Sequence, residues 1–171
     1  TKASLLKVPS VQDIYEPGST GKVMTIAAAL EEKVVTPTSV FKTPDRIHRA
    51  GKLFKDHDNH EVWKLTATGI LAKSSNVGTI KIAERMSEHT LYSYLQKFGI
   101  GDRIRLGLPA ESAGILNPVE KWSRSTFPTI AFGQSYSVTT IQATSVFATI
   151  ANSGVRITPT LVAGTSDSSG H

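Results

Sequence analysis

The sequence predicts a mainly α-helical chain with little strand, and three observations carry that expectation. Apolar residues recur at helical spacing in two places, Val23, Ile26, Ala27 and Leu30, then Ala143, Val146, Phe147 and Ile150. Between them, hydroxyl caps and glycine stops mark out further helices. Only Val155 to Ala163 alternates well enough to be expected as a strand of some length.

Taken in order, residues 1 to 14 have no clear period and form a lead-in segment; Pro17-Gly18 then breaks the backbone before the first helix. The stripe from Val23 to Leu30 places Ser19 at that helix's N-terminus. Thr36 to Glu61 is polar, with Pro37, Pro44 and Gly51, and is expected to be a long connection holding short extended pieces such as Lys52-Leu53-Phe54. Thr66 is expected to cap a short helix to about Lys73, Ser74-Ser75-Asn76 to bend, and a second helix to run from about Val77 to Met86. Thr90 caps a helix from Leu91 to Phe98, which Gly99 and Gly101 end. Gly101 to Phe127 is irregular apart from one turn near Glu120 to Trp122, and the last helix follows Ser137 or Thr139 and stops before Gly154. Residues 164–171, rich in Ser and Gly, are expected to be a flexible tail.

The chain has 171 residues, 39% hydrophobic and 19% charged, as in an ordinary globular domain, and that length can bury a proper core. Nineteen Lys and Arg against 14 Asp and Glu give +5, spread along the chain; its densest stretch, Lys42 to Lys64, also holds Asp45, Asp56, Asp58 and Glu61. That pattern describes a solvated surface and not a nucleic-acid footprint, so no nucleic-acid partner is expected. With no cysteine, disulfides, thiolate metal sites and a cysteine nucleophile are excluded. No stretch of 18 apolar residues occurs.

The chemistry concentrates in Ser19-Thr20-Gly21-Lys22. A helix turns once in 3.6 residues, so Ser19 and Lys22 project from one face about one turn apart. A serine hydroxyl attacks well only if a base takes its proton. Lys22 can be that base only when its pKa lies well below the roughly 10.4 of a free lysine. Burial and the positive end of the helix dipole both lower it, and the first-turn amides point toward an oxygen turning negative. Ser74 and Asn76 supply a second hydroxyl and an amide. Read blandly, Ser19 is an N-cap, Lys22 a solvated helix residue, and Ser74 and Asn76 a helix-linking turn.

Two other readings are weaker. A phosphate-binding loop needs glycine where Glu16 stands and Ser or Thr where Val23 stands. Asp56-His57-Asp58-Asn59-His60-Glu61 fails the calcium-loop pattern, and His57 and His60 suit zinc only on a helix with a third ligand. No metal and no cofactor are expected. Trp63 and Trp122 are expected in the core or a groove wall.

Ser19-Thr20-Gly21-Lys22 and Ser74-Ser75-Asn76 resemble the S-x-x-K and S-x-N motifs of penicillin-binding proteins and serine β-lactamases. Tyr15 to Thr20, Leu65 to Gly78, Phe132 to Gln142 and Ile150 to Arg156 are closer still to the class B penicillin-binding proteins, the cell-division and elongation transpeptidases. The resemblance covers about residues 15–163, a partial transpeptidase domain, and implies the mainly α lobe of an α/β fold, an incomplete β-lactamase/transpeptidase-like (DD-peptidase) fold. It implies Ser19 as acylated nucleophile, Lys22 as general base, Ser74 as proton relay and Asn76 as a holder of the substrate's amide.

The implied activity is cross-linking of peptidoglycan stem peptides through an acyl-serine that β-lactams block, with a β-lactam-sensing domain or a β-lactamase as alternatives. Implied partners are stem peptides, β-lactams, a membrane glycosyltransferase and division or elongation proteins, with division preferred. The implied location is the outer face of a bacterial cell membrane, anchored by an N-terminal segment outside this chain. Three features depart from the family. No K-[ST]-G string occurs in the 171 residues, so the chain is expected to stop before that motif and to be a poor reagent alone; Ser135 stands where glycine is usual and Thr140 where proline is frequent; and the strands before the nucleophile helix are reduced to residues 1 to 14.

Overall fold

The computed structural model describes residues 7–164. Its helices and strands follow the order α1 (Pro9–Gln12), a 3-10 turn Gly18–Gly21, α2 (Lys22–Glu31), β1 (Val40–Thr43), β2 (Arg46–Arg49), β3 (Lys52–Lys55), β4 (Trp63–Thr66), α3 (Ala67–Ala72), α4 (Asn76–Ala83), α5 (Glu88–Lys97), a 3-10 turn Val119–Lys121, α6 (Thr126–Ala131) and α7 (Thr140–Ala151). β2 and β3 form an antiparallel hairpin, Arg46 opposite Lys55, inserted between β1 and β4, which pair antiparallel with Val40 opposite Thr66.

The helices form because their ends are satisfied locally. The Thr66 side chain accepts from the Gly69 N–H, Ser75 from Gly78 and Ser87 from Thr90, so each hydroxyl takes one orphan amide of a first turn. Thr139 and Gln142 form a reciprocal capping box on α7.

α4 is the hub. Val77 and Ile80 pack with Ile47, Phe54 and Phe132; Ile82 joins Ile26, Ala29, Phe41 and Ile70; Ala83 joins Met24, Leu91, Leu95 and Val138. A β-carbon at Gly78 would lie 2.6 Å from Ile70 Cγ1, so its hydrogen lets α3 and α4 approach closely. α2 lies between two of these clusters, Met24 facing one and Ile26 and Ala29 the other.

Several expectations are corrected. The short extended pieces expected between Thr36 and Glu61 are three strands, with β4 just beyond them, and Phe41, Ile47 and Phe54 on them each reach a core. Ser87, not Thr90, caps α5. The stretch beyond Gly101, expected to be irregular, ends in α6. Of the expected stripe on α2 only Ile26 is buried, with Val23, Ala27 and Leu30 half-buried, while Lys22, Met24, Thr25, Ala28 and Ala29 are buried, since helices pack on several sides of it. On α7 the buried residues are Gln142, Ser145, Val146 and Thr149, while Phe147 and Ile150 are 46% and 43% exposed. Gln142 and Thr149, which donate to backbone carbonyls, share the inward face with Val146 and Ser145.

Val155 to Ala163 forms no strand. No neighbouring segment among the described residues takes its backbone bonds, and Val155, Ile157, Leu161 and Val162 stand exposed. Of the expected tail, residues 165–171 lie outside the described residues, as do residues 1–6 of the lead-in segment.

Candidate active site

Ser19 does not open the α-helix itself. It lies in the 3-10 turn Gly18–Gly21, and Lys22 is the first residue of α2. The turn is held from behind by the loop after α6: the Gly18 N–H donates to the Gly133 carbonyl at 2.8 Å. Gly133 has φ +93°, and a β-carbon there would sit 1.8 Å from the Gly18 carbonyl oxygen, so only glycine allows the two segments to meet. Glu16 adds a brace by accepting from the Ser135 N–H at 2.8 Å.

Ser19 is exposed to the cleft, whereas Lys22 is 1% exposed. The Lys22 ammonium donates to Ser19 Oγ at 3.2 Å, to Ser74 Oγ at 2.9 Å and to the Ser74 carbonyl. Burial lowers the Lys22 pKa from 10.5 to about 8, against the opposing pull of the Asp56 carboxylate. A lysine in that condition exchanges a proton near neutral pH, and both hydroxyls are in reach to give or take it.

Ser74 adopts φ +53°, a left-handed conformation that a non-glycine residue holds at a cost of about 1–3 kcal/mol when its surroundings enforce it. Asn76 is half-buried; its Nδ2 donates to the Lys55 carbonyl at 2.9 Å, which turns Oδ1 into an acceptor available to a bound group. Ser19, Ser74 and Asn76 all line one cleft of about 440 Å³.

Trp63 lines the same cleft, and so do Asp56, His60 and Lys73, which the sequence reading does not assign to the site. The His60 and Trp63 rings stack with centroids 3.5 Å apart, and the Lys73 ammonium lies 5.5 Å from the Trp63 ring centre. Burial works against a charged His60 imidazole, but the Glu61 carbonyl and the Asp56 carboxylate outweigh it and raise its pKa. The concentration of Asp and His from 56 to 61 was the sequence's signal. Among the described residues no group of three or more such side chains converges to hold an ion. Trp63 is a groove wall, and Trp122 packs against the core beside Tyr92.

The structure also explains the two unusual loop residues. Ser135 has φ +65°, where glycine is free of strain, and Thr140 is the first residue of α7, where proline fits.

A serine, a buried lysine and a second serine joined in one cleft, on a helical lobe, match the transpeptidase architecture. The family described as penicillin binding protein transpeptidase domain matches residues 2–171. The chain belongs to that family. It is 43% identical over 157 residues to penicillin-binding protein PbpB of Mycolicibacterium smegmatis, covering 92% of this chain and 24% of that one. It is 37% identical over 156 residues to the peptidoglycan D,D-transpeptidase FtsI of Escherichia coli K12, covering 91% and 26%.

Among solved structures, penicillin binding protein 3 of Mycobacterium tuberculosis complexed with aztreonam superposes with a TM-score of 0.90 at 39% identity, covering 95% of this chain and 36% of that one. A peptidoglycan synthetase from Bifidobacterium adolescentis also reaches 0.90, at 35% identity, covering 96% and 30%. The chain spans about a quarter of the length of the curated relatives it matches. Among the described residues, no helix is long and apolar enough to cross a membrane.

Proposed function

We propose that this chain carries the nucleophile part of a D,D-transpeptidase that cross-links peptidoglycan stem peptides and is acylated by β-lactams. The observation that carries the reading is the Lys22 ammonium bonded at once to Ser19 Oγ at 3.2 Å and Ser74 Oγ at 2.9 Å, on a lysine whose pKa burial lowers to about 8. Residues 15–163 make up the catalytic part.

In the first half-reaction, Ser19 Oγ attacks the carbonyl carbon of a D-alanyl-D-alanine bond while neutral Lys22 takes its proton. The tetrahedral adduct collapses, the C–N bond breaks, and the departing D-alanine amine receives a proton that passes from Lys22 through Ser74 Oγ. An amine of a neighbouring stem peptide then attacks the acyl-serine carbonyl, gives its proton back along the same path, and releases Ser19. Asn76 Oδ1 accepts from an amide N–H of the donor peptide and holds it along the cleft. A β-lactam enters by the same attack, but its opened ring keeps the leaving amine tethered, so the acyl-serine persists.

Relatives named PbpB and FtsI favour a division role over elongation. The matching location is the outer face of a bacterial cell membrane, with anchorage from outside this chain and with a membrane glycosyltransferase and division proteins as partners. A β-lactamase requires a placed hydrolytic base, and the resemblance supplies none, which favours the transpeptidase reading.

Intact-mass spectrometry after incubation with benzylpenicillin tests the proposal on this chain and on the complete gene product that contains it. A stable adduct of one antibiotic mass on the gene product, lost in Ser19→Ala, is expected. An unmodified gene product, or an adduct that survives Ser19→Ala, overturns it.

A further inference from the structure

At the end of β3 the chain runs beneath the turn that carries Ser74, and Asp56 is buried there at 7% exposure. Both of its oxygens are occupied. Oδ2 accepts from the Ser75 hydroxyl at 2.7 Å and meets His60 Nε2 at 3.1 Å, and Oδ1 accepts from the Val77 N–H at 2.9 Å. The Asn76 side chain is tied to the adjoining Lys55 carbonyl at 2.9 Å. Three successive residues after Ser74 are therefore fastened to the end of one strand.

A helix cap alone does not require this. Ser75 already caps α4 by accepting from the Gly78 N–H at 2.8 Å. Burying a carboxylate is costly unless its bonds and charge are used. Here both have an outlet toward the reaction, because the fastened turn includes Ser74, whose hydroxyl and carbonyl receive the Lys22 ammonium.

We propose that Asp56, backed by His60, is a positioning residue for the chemistry at Ser19: its carboxylate locks the Ser74–Asn76 turn and places a fixed negative charge behind the hydroxyl that Lys22 binds. The inference rests on the acyl-transfer reading above. Ser19 faces Lys22 from the 3-10 turn and Ser74 from the turn between α3 and α4; Asp56 brings negative charge from β3, and His60 and Lys73 stand on the same cleft's wall. Burial alone would leave Lys22 neutral over a wider pH range. Asp56 opposes that, and so keeps the lysine able to hold the proton between its departure from Ser19 and its delivery to the leaving amine.

The test uses the complete gene product with Asp56→Asn and Ser75→Ala variants. Two quantities are measured against pH: the rate of acylation by benzylpenicillin, and the titration of the Lys22 ε-methylene by NMR on lysine-labelled protein. For Asp56→Asn the expected result is a plateau rate at least about tenfold lower, with the acid limb and the Lys22 midpoint both moved to lower pH. Ser75→Ala keeps the charge and loses the bond, so its plateau falls while the Lys22 midpoint stays. A purely structural carboxylate would lower the melting temperature and leave the Lys22 midpoint in place.

The proposal is overturned if Asp56→Asn keeps the parental midpoint, or if either variant acylates at the parental rate. Should Asp56→Asn fail to fold, a parental rate for Ser75→Ala overturns the locking role and a reduced rate with an unmoved midpoint supports it. If the parent protein itself is not acylated, the acyl-transfer reading fails, and the Lys22 titration still decides whether Asp56 governs that lysine.

Discussion

Two buried polar networks sit at helix starts in this molecule, and they differ in charge and in access. Around α7, Gln142 is 1% exposed; its Oε1 accepts from the Thr139 N–H at 2.8 Å, and its Nε2 donates to the Asp102 and Ala113 carbonyls at 2.8 and 2.9 Å. Every partner there is neutral backbone, and the network is closed. Around α2 and α4, Lys22 and Asp56 bring opposite charges under a turn with φ +53° at Ser74, and the network opens into a cleft. The first arrangement satisfies polar groups to hold three chain segments together. The second gathers charge and backbone strain beside an open cleft, the pattern that sites of chemistry favour over structural polar cores.

The largest expected effect breaks the charged network. Lys22→Met should lower the acylation rate by about 10³-fold, within the range that general bases contribute. The same variant tests the stability side. The native Lys22 pKa of about 8 lies below its ordinary 10.5, so between those values the unfolded chain binds more protons, and parental stability rises with pH across that window. Urea unfolding at pH 7 and pH 10 should show that part of the rise missing from Lys22→Met.

Breaking the neutral network should do the reverse. Gln142→Leu leaves two carbonyls and the Thr139 N–H without their partners and is expected to cost about 3 kcal/mol, measured by urea unfolding. Acylation of the folded fraction should stay within about twofold. A fall matching that of Lys22→Met would show that the two networks are coupled.

A subtler effect sharpens the comparison by pH. On the proposed mechanism, in which only neutral Lys22 accepts the Ser19 proton, acylation should rise about tenfold per unit up to about pH 8 and then level. A limb near the ordinary lysine value would mean that burial does not tune the site. The smallest effects fall on the flanking loops. Ser135→Gly should stabilise by about 1 kcal/mol by relieving φ +65°. Thr140→Pro should add about 0.5 kcal/mol, since it sits at the first position of α7 after a residue already extended at φ −83° and ψ 162°. Thermal unfolding reads both.

The contrast also shows what periodicity can and cannot reveal. Phe147 and Ile150 were expected to face inward because apolar residues at helical spacing usually do, yet Gln142, Ser145 and Thr149 hold that face. Gln142 does so through bonds to the distant Asp102 and Ala113 carbonyls, which no local pattern encodes, and Thr149 by donating to the Ser145 carbonyl one turn earlier in its own helix. Val155 to Ala163 had the alternation of a strand, but alternation needs a partner edge, and none is present among the described residues.

The sequence alone determined the family, through motifs quoted from residues 15 to 163, and also the helical character of the lobe, the cap at Thr66 and the pairing of Ser19 with Lys22, which depend on residues within a turn or two of one another; between Ser137 and Thr139 as the cap of α7, the structure decided for Thr139. Only the tertiary structure decided that Ser74 meets Lys22 across 52 positions, and that Asp56 lies beneath the turn with His60 against Trp63. It also brings Gly133 close enough behind Ser19 to exclude a β-carbon. Those depend on how β3, the loop after α6 and the start of α2 converge on α4. Such contacts are set by packing between distant segments, which no spacing along the chain records.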